Sequence, residues 1–483
     1  MKSKIKILIA TAELGQLRYY EEVASRLKKQ GYEIAYCCDR DDPGVPEKIN
    51  QSAVQHGFGF YLHDGNQEPG DLEPTNFFKK ILNKIKKNKI TKSELSANDI
   101  SLSTLEIFRK YHSYRLQEAK KIINSYNPDI IVTGEDGIAS NYWLFSIAKK
   151  KKCRIVTLPY GLANSTYLIL KGVEEQHTRN QLRTTSKKSV QLIQKHYPKW
   201  VKNTKYGDVI YLPEEFILAV EDLNIEIKEP WCFQGGISDV ILIENEFMIQ
   251  RYLSEGVKIQ KLKKTGSVYC DIMYEVFQSN KKLLNAYNNF DKIDDITTTI
   301  LICLPSCDHE GWGHQCPFES VGKYVEAIHQ YFNQYKNIKL YYSFHPKMSL
   351  STRKDIEALG VEDYNGFPLY LIPQCDILVI SSSSMARWAL AARKLVINFD
   401  IYNFGINNFP EIPAYCQVSN LDDFKAIVHK AISDPSWFQS IIKNSTQYTD
   451  LLGPIDGTAI VKIDQQLKQL LNKRKFLLTS EKV

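Results

Sequence analysis

The stretch DIIVTGEDG, residues 129–137, joins a short apolar run to an acidic turn that is flanked by glycines. Four to eight apolar residues bounded by turn residues are typical of a strand buried on both faces of a parallel sheet. The turn then follows the carboxyl end of that strand, where ligands bind in open α/β sheets. The stretch therefore predicts an α/β fold with Gly134, Glu135, Asp136 and Gly137, the acidic turn, at a ligand-binding edge.

Apolar runs alternate with helical patterns along the rest of the chain. Strands are predicted in the first half at residues 5–10, 33–37, 58–62, 130–133, 154–158 and 240–244. A second series is predicted at residues 299–304, 338–343, 369–372, 377–381 and 395–399. Helical spacing occurs between them at residues 17–30, 106–125, 321–335, 385–392 and 422–433. This alternation indicates parallel α/β architecture.

The two series predict two Rossmann-like domains whose parallel sheets face each other across a cleft. We assign residues 1–265 to the first domain, with an elaboration at about 165–235, and residues 266–455 to the second. Residues 456–483 form a closing helix and tail. A chain of 483 residues is long enough for two large cores without staples such as disulfides.

Composition excludes several classes of protein. Apolar residues make up 43% and charged residues 24%, which is ordinary for a globular chain. No run approaches the roughly 20 apolar residues of a membrane span. The apolar run 5–10 is interpreted as a buried strand rather than a signal segment, because a polar helical pattern follows at once. Ten cysteines without framework spacing indicate a reducing compartment, and we expect a cytoplasmic protein.

A basic helix is predicted at residues 77–92, which carry seven of the lysines behind a net charge of +7. Apolar residues recur there at helical spacing. Such a helix can lie on an anionic membrane, here the inner face, or can simply present a solvated charged face, and both interpretations stay open. No nucleic-acid-reading motif accompanies the patch, so binding of nucleic acid is not expected.

The acidic turn offers carboxylates at a strand end. Its glycines allow a sharp turn that can aim one acid at a ligand, where it can take a proton from an attacking hydroxyl. An ordinary acidic turn before a helix is the alternative.

A second candidate is His345-Pro346, which follows the predicted strand 338–343. Proline restricts the preceding residue to extended backbone and so fixes the direction of the histidine. The imidazole can donate to a leaving phosphate. A histidine in a surface loop is the alternative.

Four consecutive serines, Ser381, Ser382, Ser383 and Ser384, form what we call the serine turn. They end the predicted strand 377–381 and open the predicted helix 385–392. A helix N-terminus binds phosphate through free backbone N–H groups, and serine also caps helices. Because capping needs one serine rather than four, we favour phosphate binding.

The loop after the strand 299–304 contains Asp308, His309 and Glu310, and we predict that it faces a substrate. Zinc is the alternative, with Cys303, Cys307, His309, His314 and Cys316 as possible ligands. However, Cys303 falls inside the strand and the two pairs stand too close together for a zinc finger. We therefore predict no metal and no cofactor.

Taken together, these motifs resemble those of GT-B glycosyltransferases. Glu135-Asp136-Gly137, His345-Pro346 and the serines are similar, in this order, to the D/E-D/E-G, HP and SS motifs of bacterial sialyltransferases. The resemblance implies Asp136 as general base with Glu135 as its substitute, and His345 at the phosphate of a CMP-sugar. It also implies Ser382 and Ser383 as phosphate ligands. HP and paired serines also occur in transferases that use CMP-Kdo or CDP-glycerol.

A second resemblance is to UDP-N-acetylglucosamine 2-epimerases. Residues 129–161 resemble their segment of strand, turn, helix, strand and His-Gly loop, although Tyr160 stands in place of the histidine. Thr265-Gly266-Ser267 resembles a further segment. Their D-S-G-G-x-x-E-E stretch departs most, because Arg387 and Trp388 stand where two glutamates belong. We therefore rank an epimerase or hydrolase second.

The function expected from the sequence is an inverting, metal-independent glycosyltransferase. Its partners are a nucleotide-sugar donor, carrying a sialic-acid-like nonulosonate or Kdo on CMP, and a surface glycan acceptor. Under this resemblance residues 1–265 bind the acceptor and residues 266–455 bind the donor. A nucleotide-sugar-binding scaffold without catalysis and a membrane-surface assembly protein are the alternatives outside the enzyme class.

Overall fold

The structure is a computed structural model of the chain. It describes residues 4–11, 14–38, 44–63, 90–138, 140–161, 165–234, 236–294, 296–306, 316–364 and 366–480. The chain divides into two compact units. The first unit comprises Met1–Ile243, Met248–Lys263 and Asp464–Val483, and the second comprises Glu244–Phe247 and Lys264–Ile463.

The first unit is built on a seven-stranded sheet with the strand order β10-β9-β5-β4-β1-β2-β3. Within this order, the six neighbouring strands β9-β5-β4-β1-β2-β3 pair in parallel. Their bounds are β1 Lys6–Ala10, β2 Glu33–Cys38, β3 Gly59–Leu62, β4 Ile130–Thr133, β5 Arg154–Thr157, β9 Val240–Ile243 and β10 Leu262–Lys264. The central strands are buried, as their apolar runs predicted, because helices cover a parallel sheet.

Helices connect these strands. They are Leu14–Lys29, Val45–His56, Lys92–Ala97, Leu102–Tyr126, Tyr142–Lys150, Ser165–Thr178, Lys188–His196, Glu214–Asp222 and Glu246–Ser254, with short 3-10 turns at Pro198–Trp200 and Ile259–Lys261. Their apolar faces form the core of the unit; Leu105, Leu144 and Phe145 are fully buried.

The segment at about 165–235 contains a small sheet of its own. Its strands, β6 Arg183–Thr184, β7 Lys202–Thr204 and β8 Gly207–Ile210, pair antiparallel in the order β6-β8-β7. Ile169, Val173, Val209 and Trp231 form a separate small core beside it. The sequence predicted an elaboration here but not its strands, which at two to four residues are too short to show a period.

The second unit is a five-stranded parallel sheet with the order β12-β11-β13-β14-β15. Its strands are β11 Thr298–Cys303, β12 Ile338–Ser343, β13 Ile377–Ile380, β14 Leu395–Phe399 and β15 Tyr415–Val418. Its helices are Val268–Ser279, Lys281–Asn289, Val321–Phe332, Leu350–Glu357, Ala386–Ala391, Leu421–Ser433, Pro435–Ser445, Thr449–Leu452 and Ala459–Ser480. A 3-10 turn lies at Thr446–Tyr448. The last helix continues into residues of the first unit.

The strand predicted at 369–372 is wrong. These residues form two 3-10 turns, Pro368–Tyr370 and Ile372–Gln374. Proline fixes φ near the helical value and lacks the N–H that a strand ladder needs, so Pro368 and Pro373 favour turns over a central strand. The apolar residues between them are still buried; Leu369 and Ile372 are fully enclosed.

Aspartates just before three strands fix the register of the neighbouring strands. The carboxylate of Asp129 accepts the Lys6 N–H at 2.9 Å, and that of Asp239 accepts the Ile155 N–H at 2.9 Å. In the second unit, Asp376 accepts the Thr299 N–H at 2.8 Å. Each bond joins the start of one strand to the start of its neighbour in the sheet, because the carboxylate accepts a backbone N–H that would otherwise need another acceptor.

Of the predicted basic helix 77–92, residues 77–89 lie outside the described residues. Contact with an anionic membrane therefore stays a prediction. Within the described part of the chain, no helix is long and apolar enough to cross a membrane.

Candidate functional site

In the first unit the strand order reverses at β1, which has β2 on one side and β4 on the other. Ligands bind open α/β sheets in the crevice outside the carboxyl ends of the strands at such a switch point. The acidic turn directly follows β4 and so lies at this crevice. The sequence predicted the strand end; the switch point itself follows only from the sheet order.

Asp136 is buried within the acidic turn, at 3% exposure. Its Oδ2 accepts the Ser238 N–H at 2.6 Å, while its own N–H donates to the Phe233 carbonyl at 3.2 Å. Burial raises the pKa of Asp136, and the bond from Ser238 and the nearby Lys261 ammonium oppose this shift. The carboxylate thus ties the acidic turn to the segment around 233–238.

Gly137 fits the same packing. Its N–H donates to the Phe233 carbonyl at 2.6 Å. A Cβ at this position would overlap the carbonyl oxygens of Cys232 and Phe233. Only glycine lets the turn approach this backbone so closely.

Glu135 is half-buried, and Gly134 beside it is crowded by two tyrosines. A Cβ on Gly134 would stand 2.9 Å from the Tyr20 hydroxyl and 3.2 Å from the Tyr160 ring. Tyr20 is fully buried and donates to the Leu158 carbonyl at 3.0 Å. Burial raises the pKa of Tyr20, and Tyr160 and Glu135 raise it further. Glu135 and the half-buried Tyr160 therefore share the edge formed by β4 and β5.

In the second unit the strand order reverses at β11, between β12 and β13. The serine turn follows β13 and His345 follows β12, so both stand at the carboxyl edge of this sheet. Their strands are two strand spacings apart, roughly 10 Å. Asp308, His309 and Glu310, which follow β11 in the sequence, lie outside the described residues.

The serine turn differs from the predicted helix cap. The helix begins at Ala386 rather than 385, has six residues, and its N-cap Met385 makes no side-chain capping bond. The Met385 N–H donates to the Ser383 hydroxyl at 3.3 Å, and the Ala386 N–H donates to the Ser383 carbonyl at 3.3 Å. A phosphate at this turn would therefore contact the serine hydroxyls rather than a helix N-terminus.

Two hydroxyls in the serine turn are buried without a hydrogen-bond partner among the residues that the structure describes: those of Ser381 and Ser382. Ser382 has a φ of +52°, and its N–H donates to Asn398 Oδ1 at 2.7 Å. A buried hydroxyl without a partner costs free energy unless a ligand or water satisfies it. The arrangement can therefore bind a polar group such as a phosphate.

His345 is half-buried, and its Nδ1 accepts the Lys347 N–H at 3.1 Å. In a neutral imidazole the proton is then on Nε2, which can donate to a ligand. Arg353 donates to the His345 carbonyl at 3.2 Å and pairs with Asp363 at 2.9 Å. Pro346 is exposed beside it.

Arg387 and Trp388 are both buried, and both bind Glu244. Arg387 Nε and Nη2 donate to the two carboxylate oxygens at 2.6 and 3.1 Å, and Trp388 Nε1 donates at 3.3 Å. The substitutions that set this chain apart from the epimerase pattern thus form one hydrogen-bonded group.

Glu244 and Asn398 were not predicted from the sequence as site residues. Glu244 directly follows the fully buried strand β9, and Asn398 interrupts the apolar run of β14. A polar residue inside or at the end of a buried strand is the signal that identifies both.

The zinc alternative falls largely outside the described residues, since Cys307, His309 and His314 are not described. In the described part of the chain, no group of three or more histidine, cysteine, aspartate and glutamate side chains could hold a metal ion.

No protein-family model matches the chain, and no protein of curated function matches it in sequence. Solved structures match over nearly the whole length. UDP-GlcNAc 2-epimerase from Neisseria meningitidis, bound to UDP-GlcNAc, is 13% identical, with 97% of this chain and 100% of that one covered and a TM-score of 0.50. S. aureus MnaA with UDP is 12% identical, with 97% of each chain covered and a TM-score of 0.52.

A glycosyltransferase is equally similar. CalG4, the calicheamicin glycosyltransferase, is 13% identical, with 97% of this chain and 99% of that one covered and a TM-score of 0.51. At such identities the similarity concerns the fold. The chain has the GT-B fold of two Rossmann-like domains, as the sequence predicted.

Proposed function

We propose that the chain is an inverting, metal-independent glycosyltransferase that uses a CMP-activated nonulosonate, such as sialic acid, or Kdo as its donor. The acceptor is a hydroxyl of a surface glycan. The observation that carries the proposal is the serine turn, which follows a strand at the switch point and holds two buried hydroxyls with no partner among the described residues. A crevice at that point suits the phosphate of a nucleotide sugar.

The comparisons support the class of enzyme. CalG4 is a glycosyltransferase, and the Neisseria and S. aureus proteins were solved with UDP-GlcNAc and UDP. We infer that this chain is also an enzyme acting on nucleotide sugars. The choice of CMP rests on the order of the three sequence motifs alone.

On the acceptor side, the geometry favours Glu135 over Asp136 as the general base. Asp136 is enclosed and bonded to Ser238, whereas Glu135 is half-buried at the edge of β4 and β5. A base must reach the hydroxyl proton that it takes. Asp136 then holds the acidic turn in place and Glu135 carries out the proton transfer.

On the donor side, the serine hydroxyls and His345 bind the phosphate. The acceptor oxygen forms a bond to the anomeric carbon as its proton passes to Glu135. The bond from that carbon to the phosphate oxygen breaks, and CMP leaves with the electron pair. Donors aimed at the oxygen where charge develops stabilise this step, which is the role proposed for His345. A single displacement inverts the anomeric configuration.

An epimerase or hydrolase acting on UDP-N-acetylglucosamine is the second candidate, because structures of such enzymes match over 97% of this chain. Against it, Arg387 is fully buried and occupied by Glu244. Arg387 therefore supplies neither the carboxylate that would bind the sugar nor the proton-transfer group that the epimerase pattern has at this position.

A thermal-shift panel with CMP, CDP, UDP, UMP, ADP and GDP tests the donor. A ligand that binds only the folded protein raises Tm by mass action. We expect selective stabilisation by CMP, followed by CMP release from CMP-sialic acid or CMP-Kdo in the presence of glycan acceptors. Selective stabilisation by UDP would transfer support to the epimerase candidate, and CMP binding without turnover across acceptors would favour a scaffold.

Variants then test the roles. We expect Glu135→Gln to lower kcat by roughly 10²–10⁴-fold, the usual contribution of a general base, while stabilisation by CMP stays unchanged. Glu118→Gln, in a surface ion pair with Lys121, serves as the matched control. Full activity in both Glu135→Gln and His345→Ala would refute the mechanism.

A further inference from the structure

Arg387 is a fully buried cation in the first turn of the helix Ala386–Ala391. Two of its nitrogens bind the two oxygens of Glu244, with Nε to Oε2 at 2.6 Å and Nη2 to Oε1 at 3.1 Å. Glu244 is itself only 3% exposed. This fork-to-fork geometry is specific to arginine and holds both side chains in one orientation.

The surroundings of the pair leave little freedom. Glu244 also accepts the hydroxyl of Ser267 at 3.1 Å and the indole N–H of Trp388 at 3.3 Å. The guanidinium lies 3.9 Å from the Trp388 ring centroid, and the Tyr269 ring packs edge-on against the same indole. The charge of Arg387 is therefore neutralised and enclosed.

The pair also reaches the serine turn. Arg387 Nη1 donates to the carbonyl of Ser384 at 2.8 Å. At the other end of the turn, Asn398 accepts the N–H of Ser382 at 2.7 Å. The serine turn is thus held at both ends, by Asn398 and by Arg387. The buried hydroxyls of Ser381 and Ser382 lie at the Asn398 end.

We propose that Arg387 and Glu244 are positioning residues for nucleotide-phosphate binding by the serine turn. The guanidinium does not meet the phosphate, because it is fully buried and bonded to Glu244 and Ser384. It fixes the Ser384 carbonyl, and through it the course of the turn that carries the hydroxyls. The inference rests on the proposed donor site and assigns a role to residues outside it.

The test separates positioning from folding. Replacing both members of a buried ion pair with apolar residues is often neutral for stability, whereas removing one partner is not. We therefore compare Arg387→Met/Glu244→Leu with wild type. The control is Arg109→Met/Asp222→Leu, which removes a half-buried ion pair that belongs to the first unit. Tm, amide hydrogen exchange of residues 381–385, and the Kd for CMP and for UDP are measured on the full chain.

We expect the 387/244 double variant to fold with a lower Tm, because the Ser267 hydroxyl and the Trp388 indole lose Glu244 as their acceptor. Exchange at residues 381–385, which include the bonded amides of Ser382 and Met385, rises at least tenfold. The Kd for the nucleotide that binds wild type rises at least tenfold. The control double variant changes neither quantity.

Unchanged exchange and unchanged Kd in a folded 387/244 double variant would overturn the inference. If neither CMP nor UDP binds wild type, the proposed donor fails, and the exchange rates still decide whether the pair positions the turn. If the double variant does not fold, Arg387→Lys decides. It keeps the charge but lacks the fork, so faster exchange confined to residues 381–385 supports positioning, and wild-type exchange refutes it.

Discussion

The acidic turn and the serine turn each follow a strand at the switch point of its own sheet, and they differ in where their polar atoms bind. In the acidic turn, Asp136 and Gly137 are bonded to the segment 233–238. In the serine turn, Ser381 and Ser382 keep buried hydroxyls with no partner in the described part of the chain. The acidic turn bonds to the backbone of its own unit through Asp136 Oδ2 and two amide groups, although Asp136 Oδ1 is buried without a hydrogen-bond partner among the described residues. The serine turn leaves two hydroxyls in that state, and these can bind a polar group of a ligand.

The largest effect is expected for Gly137→Ala, which breaks the close packing of the acidic turn. The added methyl overlaps two backbone carbonyls that cannot move without breaking the bonds around them. We expect a loss of about 3 kcal/mol in the free energy of unfolding, the upper range for overpacking. Urea denaturation measures it.

Gly161→Ala is the control for this variant, because its Cβ meets nothing within 4 Å. It should change stability by less than about 0.5 kcal/mol. Equal losses in the two variants would show that the acidic turn is not specially packed.

The next effect concerns Asp136. Asp136→Ala leaves the buried N–H of Ser238 without its acceptor, and we expect a loss of about 1–3 kcal/mol. Asp136→Asn keeps an acceptor oxygen and avoids a buried charge, so it should lose less at neutral pH. Denaturation of both variants between pH 4 and 8 measures the difference.

The sign of the pH dependence follows from the raised pKa of Asp136. Its folded pKa lies above the unfolded one, so the folded state holds the proton longer. Its contribution to stability is complete below the unfolded pKa and is lost as pH rises through the folded pKa. The stability of Asp136→Asn relative to wild type should therefore improve as pH rises, and a constant difference would contradict the buried-charge explanation.

The smallest effect on stability is expected for Ser382→Gly, which sharpens the comparison from the other side. Ser382 has a left-handed φ of +52°, a conformation that glycine adopts without strain. We expect a gain of up to roughly 1 kcal/mol in stability and a weaker affinity for the nucleotide. A serine kept in a strained conformation at the proposed donor site fits a trade of stability for function.

Asn403→Gly is the matched control, because Asn403 is exposed in the same unit with a φ of +50°. It should leave nucleotide affinity unchanged, as shown by titration of both variants. Unchanged affinity in Ser382→Gly would remove that hydroxyl from the proposed site.

Much of the fold follows from local patterns. The strands at 130–133, 338–343 and 395–399 were predicted at their observed bounds, because short runs rich in apolar and aromatic residues between turn signals leave little ambiguity. The run 369–372 looked the same in apolar content, and the flanking prolines made it a turn. Strand β15 was missed because its pattern mixes Tyr415 and Val418 with half-buried residues.

The candidate site was predictable only as separate strand ends. The motifs indicate Glu135, His345 and the serines, but exposure separates Glu135 from Asp136, and that depends on the distant segment 233–238. Glu244 and Arg387 are 143 residues apart in the sequence, so no local pattern joins them. Pairings at such separations are a property of tertiary structure.

The division of the chain has a consequence for its synthesis. Residues from Asp464 onward belong to the first unit, and Tyr32 donates a hydrogen bond to Asp464 at 2.7 Å. A ribosome makes these residues only after all of the second unit, which ends at Ile463. The first unit therefore waits, with part of its surface uncovered, while some two hundred residues are translated. Its last contacts form after those of the second unit have become possible, which reverses the usual order in which domains mature on the ribosome.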